Sequence, residues 1–348
     1  MPSSSLTARR EAAESFRPAH VDCLLVAEAP PADKARYFYF ETVATQDSLY
    51  LEVSKALFFS LDTQRLRANK ARYLSRLHDQ GMWLVDLAEE PVPDPGGKPE
   101  YLTTWVDSLV ERCRTIHPRR VILLASPVYD VAFQRLRDAG VPVVDIRTPF
   151  PGSGRQKEFR ARFWEALRVA SINPYPVVVD GNCVSYWLDA LDAVVAPQEE
   201  DPLADQKMAL VQIFYYWPWV MSFTPTIRTE IEAITDPARL QTHQQWIGIH
   251  LRELLAPNSE RLAQAQDELA GSDVNETDAE WLCEAIAHDS TMAITWDQPL
   301  LNQSAGLTAI EVVSPATAWS TLSVPNGAEA RIAPSPTNPL SQQDWWKV

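Results

Sequence analysis

Cysteine is sparse in this chain: Cys23, Cys113, Cys183 and Cys283 are the only four among 348 residues. No two of them form a CxxC pair, so the spacing offers no zinc or iron–sulfur framework and no disulfide scaffold, and a reducing cytoplasm is the expected setting. Also missing is an apolar run long enough to span a bilayer. The polar start Met1-Pro2-Ser3-Ser4-Ser5 lacks a secretory apolar region, which adds to the cytoplasmic expectation and gives no membrane partner. Basic residues are scarce in one half only. Residues 1–170 carry 24 Lys and Arg against 22 Asp and Glu, a net of +2, whereas residues 171–348 carry 7 against 24, a net of −17. Halves so unlike read as two modules, and a chain of this length accommodates two domains with real cores. A grip on a polyanion falls to the first, through runs such as Arg65 to Arg76 and Arg147 to Arg168. The acidic half is suited instead to a basic protein partner.

Against these absences stand two apolar runs that each end in an aspartate: Val177-Val178-Val179-Asp180 and Ala293-Ile294-Thr295-Trp296-Asp297. Each reads as a buried parallel strand delivering a carboxylate at its C-terminal end, the edge where open α/β sheets place their ligands. Between them lie Glu230 and Asp278, in Thr229-Glu230 and Thr277-Asp278. Four carboxylates gathered in one place repel one another unless a divalent cation neutralises them. The pattern therefore points to Mg²⁺ or Mn²⁺, one or two ions, and to phosphate chemistry. The same residue types also serve as ordinary turn and cap residues, which is the plain alternative for each position alone.

The first module alternates strands and helices. Val21–Ala27, Met82–Asp86, Arg120–Ala125 and Val141–Arg147 read as strands, and 64–80, 103–116, a stretch opened by Ser126 as N-cap with Pro127 behind it, and 156–169 read as helices. Such alternation predicts a mostly parallel sheet with covered faces. Residues 18–170 resemble the uracil-DNA glycosylase superfamily. Glu28-Ala29-Pro30 matches the motif after that family's first strand, Asp86 stands at the exit of the second strand, and Thr148-Pro149 occupies the place of the family's His-Pro, followed by basic Arg155 and Lys157. The resemblance implies that Glu28 positions a water, that Asp86 reads a flipped-out base, and that Arg155 and Lys157 contact nucleic acid. Three departures accompany it: Pro31 replaces a glycine, Asp86 presents only acceptors, and Thr148 cannot play the histidine's part.

The second module, over 177–322, resembles the PIN-domain family of metal-dependent nucleases. The order is a strand, Asp180-Gly181-Asn182 and a helix over 183–192, then Glu230 on a helix, Asp278 opening another, and a strand ending in Thr295-Trp296-Asp297. The resemblance implies that Asp180, Glu230, Asp278 and Asp297 hold Mg²⁺ or Mn²⁺, that Asn182 and Thr295 steady them by hydrogen bonds, and that RNA rather than DNA is cut. Thr277 with Glu280 forms a possible capping box that puts Asp278 in the first turn. His243 and His250 share a helix face without a third ligand, so core or surface placement is expected. The run Tyr215-Tyr216-Trp217-Pro218-Trp219 is rich enough in aromatics to stack bases, although burial is its commoner use.

The expected organisation is therefore α/β in two domains, each a mostly parallel sheet flanked by helices (αβα). Residues 1–17 are an N-terminal extension, 171–176 a linker, 194–206 a surface loop and 323–348 a poorly ordered tail. The expected function is metal-dependent phosphodiester cleavage beside a nucleic-acid-recognising domain. Two alternatives remain: a DNA glycosylase acting on a damaged or modified base with an inactive PIN-like scaffold, and a non-enzymatic interaction protein.

Overall fold

The computed structural model describes residues 4–42, 47–152, 154–192, 203–322, 324–332, 334–337 and 339–348. The chain is α/β and forms two compact units, one of residues 1–56 and 62–173, the other of 57–61 and 174–348. Each is built on a parallel sheet flanked by helices.

In the first unit the elements run α1 (Ser4–Ser15), β1 (Cys23–Ala27), α2 (Ser48–Phe58), α3 (Thr63–Ala68), α4 (Lys70–Asp79), β2 (Met82–Asp86), α5 (Lys98–Thr103), α6 (Val106–Ile116), β3 (Arg120–Leu123), α7 (Ser126–Asp138) and α8 (Gln156–Val169). The strand order is β2-β1-β3, all parallel, with Leu25 opposite both Leu84 and Ile122. β1 is buried along its whole length, as a strand covered on both faces requires, and this is why its sequence is an unbroken apolar run.

Several expectations need correction. Val141–Arg147 does not form a strand; Val143 alone makes a bridge to Val121. Pro142 has no N–H to give. Past the two backbone bonds that Pro142 and Val144 make with Val121 of β3, Arg147 turns to Asp130 in a bidentate pair at 2.8 Å and Asp145 takes the Tyr129 hydroxyl, so the rest of the segment is tied to α7. The helix expected over 64–80 is two helices that meet at Asn69, where φ is −111° and ψ 26°. The helix expected over 103–116 is likewise split, with Thr104 and Trp105 between α5 and α6. Ser126 does not cap α7, because its hydroxyl donates to the Thr148 carbonyl at 3.1 Å. The N-terminal extension holds α1, fastened by Trp83 Nε1 donating to the Ala13 carbonyl at 3.1 Å and by Arg9 donating to the carbonyls of Pro31 and Asp33.

The second unit runs β4 (Val177–Val179), α9 (Gly181–Asp192), α10 (Ala204–Tyr216), β5 (Ser222–Phe223), α11 (Pro225–Glu232), α12 (Pro237–His250), β6 (Arg252–Glu253), α13 (Ser259–Leu269), α14 (Glu276–Ala287), β7 (Met292–Ile294), α15 (Gln298–Gln303), β8 (Glu311–Val313) and α16 (Pro315–Leu322). Its parallel sheet has the order β6-β5-β4-β7-β8, with Val178 opposite Ser222 on one side and Ala293 on the other. The first strand is therefore central, and the direction of winding reverses at β4. Such a switch point opens a crevice beyond the strand's C-terminal end. β6, at one edge, is the charged pair Arg252-Glu253, a composition that discourages pairing with another chain.

Of the expected loop at 194–206, residues 194–202 lie outside the described residues, while Ala204 onward belongs to α10. The tail is the larger correction. Leu340 and Trp346 are buried, Trp346 lies 4.8 Å from the Tyr215 ring, and its Nε1 donates to the Leu340 carbonyl at 2.9 Å. Polar composition marked the segment as disordered, but two large apolar side chains anchor its described parts on the end of α10. The aromatic run is mostly core: Trp217 is buried and its ring lies 4.8 Å from that of Phe59. His243 is buried too, accepting or donating at 3.0 Å with Ser185, while His250 packs on Phe214. Among the described residues no helix is long and apolar enough to cross a membrane.

Candidate functional site

Asp180 follows β4 and continues its ladder, donating its N–H to the Ile294 carbonyl at 2.9 Å. Its side chain is thereby set at the crevice beyond the central strand. The carboxylate is buried but well solvated by protein. Oδ2 accepts from Thr295 Oγ1 at 2.6 Å and from Asn182 Nδ2 at 2.7 Å. Asn182 in turn accepts from the Trp296 N–H at 3.3 Å, so it ties the start of α9 to the turn after β7. Thr295 is fully buried and accepts the Asp297 N–H at 3.0 Å. Asn182 and Thr295 thus fix the position of one carboxylate from two directions.

Glu230 reaches the same place from α11. Thr224 caps that helix and Pro225 opens it. A Cβ built on Gly181 would lie 3.2 Å from Glu230 Oε2, so the missing side chain at 181 leaves the room into which this carboxylate packs. Asp278 comes from the first turn of α14, as expected, but the cap is Asn275 and not Thr277. The Asn275 side chain accepts the Asp278 N–H at 3.0 Å and donates back to Asp278 Oδ2 at 2.5 Å. With Asn275 as cap, α14 begins two residues earlier than a cap at Thr277 would set.

The electrostatics show the convergence. Burial pushes the Asp180 carboxyl above its usual range and the charge of Asp278 adds to this, while hydrogen bonds from Thr295 and Asn182 pull the other way. Glu230 is raised by burial and then by the charges of Asp180, Asp278 and Glu280. Among the described residues no basic side chain offsets either. Arg228, the basic residue nearest Glu230 in sequence, is engaged in a bidentate pair with Glu253 at 2.6 and 2.5 Å. Glu230 therefore packs beside Gly181, next to Asp180, and the charge of Asp278 reaches both carboxylates. Asp297 stands at the same sheet edge, but its carboxylate caps α15 by accepting the Leu300 N–H at 2.9 Å. Glu280, whose charge does reach Glu230, was not anticipated. Two residues beyond Asp278 on a helix, it looks like a solvated surface residue.

As the side chains stand, no group of three or more His, Cys, Asp and Glu among the described residues is arranged to hold a metal ion. The donor chemistry nevertheless fits a hard divalent cation: carboxylate oxygens from three segments, mutually repelling, with a glycine beside one of them and no neutralising cation among the described residues.

In the first unit Glu28 follows β1 and Asp86 closes β2, with Ala27 and Asp86 opposite each other. Glu28 accepts from Lys98 Nζ at 3.0 Å. Asp86 is pushed up to about 7, chiefly by burial, with Arg112 and Arg9 drawing it down and Glu28 raising it. It faces a cavity of about 470 Å³ between α1, β2 and α6, lined also by Arg9, Pro30, Tyr37, Trp83 and Arg112. Ala29 and Glu28 are not among its lining. Thr148 and Pro149 are corrections. Both are buried, and the Thr148 hydroxyl donates to the Leu123 carbonyl at 2.9 Å while accepting the Ala125 N–H at 3.1 Å. That bond steadies Ala125 at a φ of 134°, so Thr148 is a structural residue and not a ligand group. Arg155 pairs with Glu158 at 2.8 and 2.5 Å, and Lys157 is exposed. All four cysteines are buried and unpaired.

No protein-family model and no curated protein matches this chain.

Proposed function

We propose that the second unit is a divalent-metal-dependent phosphodiesterase acting on nucleic acid, RNA before DNA, in the cytoplasm. The observation that carries this reading is the meeting of Asp180, Glu230 and Asp278, from three separate segments, at the C-terminal end of the central strand. These three would hold one or two Mg²⁺ or Mn²⁺ ions, with Asp297 beside them at the same edge. Bound there, the ion would supply an activated water and offset charge on the departing oxygen. The chain's own part is to hold the ligands still. Thr295 and Asn182 donate to Asp180, leaving Asp180 a fixed acceptor, and Gly181 makes room for Glu230. Four unpaired buried cysteines accord with a reducing compartment.

The test is cleavage of end-labelled RNA and single-stranded DNA in Mg²⁺ and in Mn²⁺ by wild type and Asp180→Asn. Metal-dependent cutting of RNA by wild type alone supports the reading; both substrates left intact would end it.

A second reading concerns the first unit. Asp86, lifted to about 7 and facing a cavity lined by Tyr37 and Trp83, can both donate and accept near neutrality, which suits recognition of a nucleobase edge. Base excision there requires that abasic sites form in modified DNA and that Glu28→Gln abolish them. Persistence of that product in the variant would refute it.

A further inference from the structure

Beside the carboxylates lies an aromatic pair that the proposed chemistry does not use. Tyr186 on α9 and Trp296 in the turn after β7 stack with ring centroids 4.3 Å apart and an interplanar angle of 22°. Both are half-exposed. The buried Trp296 indole N–H has no hydrogen-bond partner among the described residues, so stacking on Tyr186 orients the ring. Its backbone is pinned differently: the Trp296 N–H donates to Asn182, the residue that also donates to Asp180. Trp296 is therefore one hydrogen-bonded side chain away from the central carboxylate.

The helix extends the same surface. Asn182, Ser185 and Tyr186 fall at i, i+3 and i+4, on one face of α9. Ser185 accepts from Arg239 Nη2 at 3.3 Å. Arg239 is exposed and, among the described residues, pairs with no carboxylate. Along one turn of α9, then, Asn182 faces the acidic cluster, Ser185 meets the exposed Arg239 of α12, and Tyr186 carries the stacked aromatics.

We propose that Tyr186 and Trp296 form a stacking platform for one unpaired base of the strand whose phosphodiester meets the carboxylates, with Arg239 contacting a neighbouring phosphate. The inference rests on the nuclease reading and adds a requirement to it: the substrate must be single-stranded at the site, because a base inside a duplex has both faces covered. It also answers how so acidic a unit engages a polyanion. Base stacking supplies attraction that does not depend on a basic surface.

The probe is a short oligoribonucleotide containing 2-aminopurine, mixed with the intact protein in Mg²⁺ by stopped flow so that binding is read before cleavage. Quenching of 2-aminopurine is expected with the single strand and not with its duplex. Trp296→Ala should weaken the apparent Kd roughly 5- to 100-fold, the range for loss of one base–aromatic stack. Trp296→Phe should keep most of the affinity, and Arg239→Gln should lower it and flatten its salt dependence. Should Trp296→Ala fail to fold, Tyr186→Leu carries the same comparison. Equal affinity in these aromatic variants, equal binding of duplex, or no binding of any strand would overturn the platform. If aromatic variants bind as wild type while Asp180→Asn still abolishes cleavage, the platform falls and the nuclease stands. Quenching by a wild type that never cleaves would have the opposite meaning.

Discussion

Asp86→Asn should change how the first unit's stability responds to pH. The side chain keeps its shape, and only the ability to ionise is lost. In the folded protein burial lifts the Asp86 carboxyl from the usual 3.8 to about 7. A carboxyl raised on folding is protonated in the folded chain while already ionised in the unfolded one. Stability is therefore fully present below 3.8, is lost as pH rises from there to about 7, and stays low above it. At about 1.36 kcal/mol per pH unit the whole window is worth roughly 4 kcal/mol. Solvent in the half-open cavity screens part of this, so about 2–4 kcal/mol is the expected span. Urea unfolding of both proteins from pH 4 to pH 8 reads it, with a probe in the first unit because two units need not unfold together. The variant should match wild type at the acid end and exceed it increasingly toward pH 7. Parallel stability curves across the range would show that Asp86 is not held protonated by burial.

Two further predictions concern local packing. Gly181→Ala should leave the melting temperature of the metal-free protein little changed, since Gly181 opens α9, where little of the helix-interior preference for Ala applies. Its Cβ, however, displaces Glu230 Oε2 by a few tenths of an ångström, so the rise in melting temperature on adding Mn²⁺ should shrink; an undiminished rise would remove Glu230 from the site. Thr148→Val should cost roughly 1–3 kcal/mol in urea unfolding, because the buried Ala125 N–H loses its acceptor, while ligand binding in the Asp86 cavity persists. A variant of unchanged stability would show that this bond does not hold Ala125.

Long apolar strands were legible in the sequence. β1 and β4 are unbroken apolar runs because both are buried on two faces and central in their sheets. Strands β5 and β6 were not legible, since two residues carry no periodicity and their sheet places come from tertiary pairing with β4 and with each other. Asn275 shows the limit of cap reading: its side chain takes the Asp278 N–H, whereas the sequence offered Thr277 as the cap. Asp180, Glu230 and Asp278 meet because their elements adjoin the central strand's end. Asp297 shared the same sequence pattern, yet its carboxylate satisfies the backbone of α15. The tail was misread because its composition is polar, while its described parts are held by the buried Leu340 and Trp346 and by backbone N–H bonds from Arg331 and Val348 to Tyr215 and Tyr216.

Calorimetric titration of the full chain with Mn²⁺, repeated on Asp180→Asn, tests the central claim most directly. The account predicts saturable binding of one or two ions by wild type, weakening as pH falls because the Asp180 and Glu230 carboxyls are raised, and loss of that binding in the variant. Binding of equal strength in both proteins, or none in either, would contradict it.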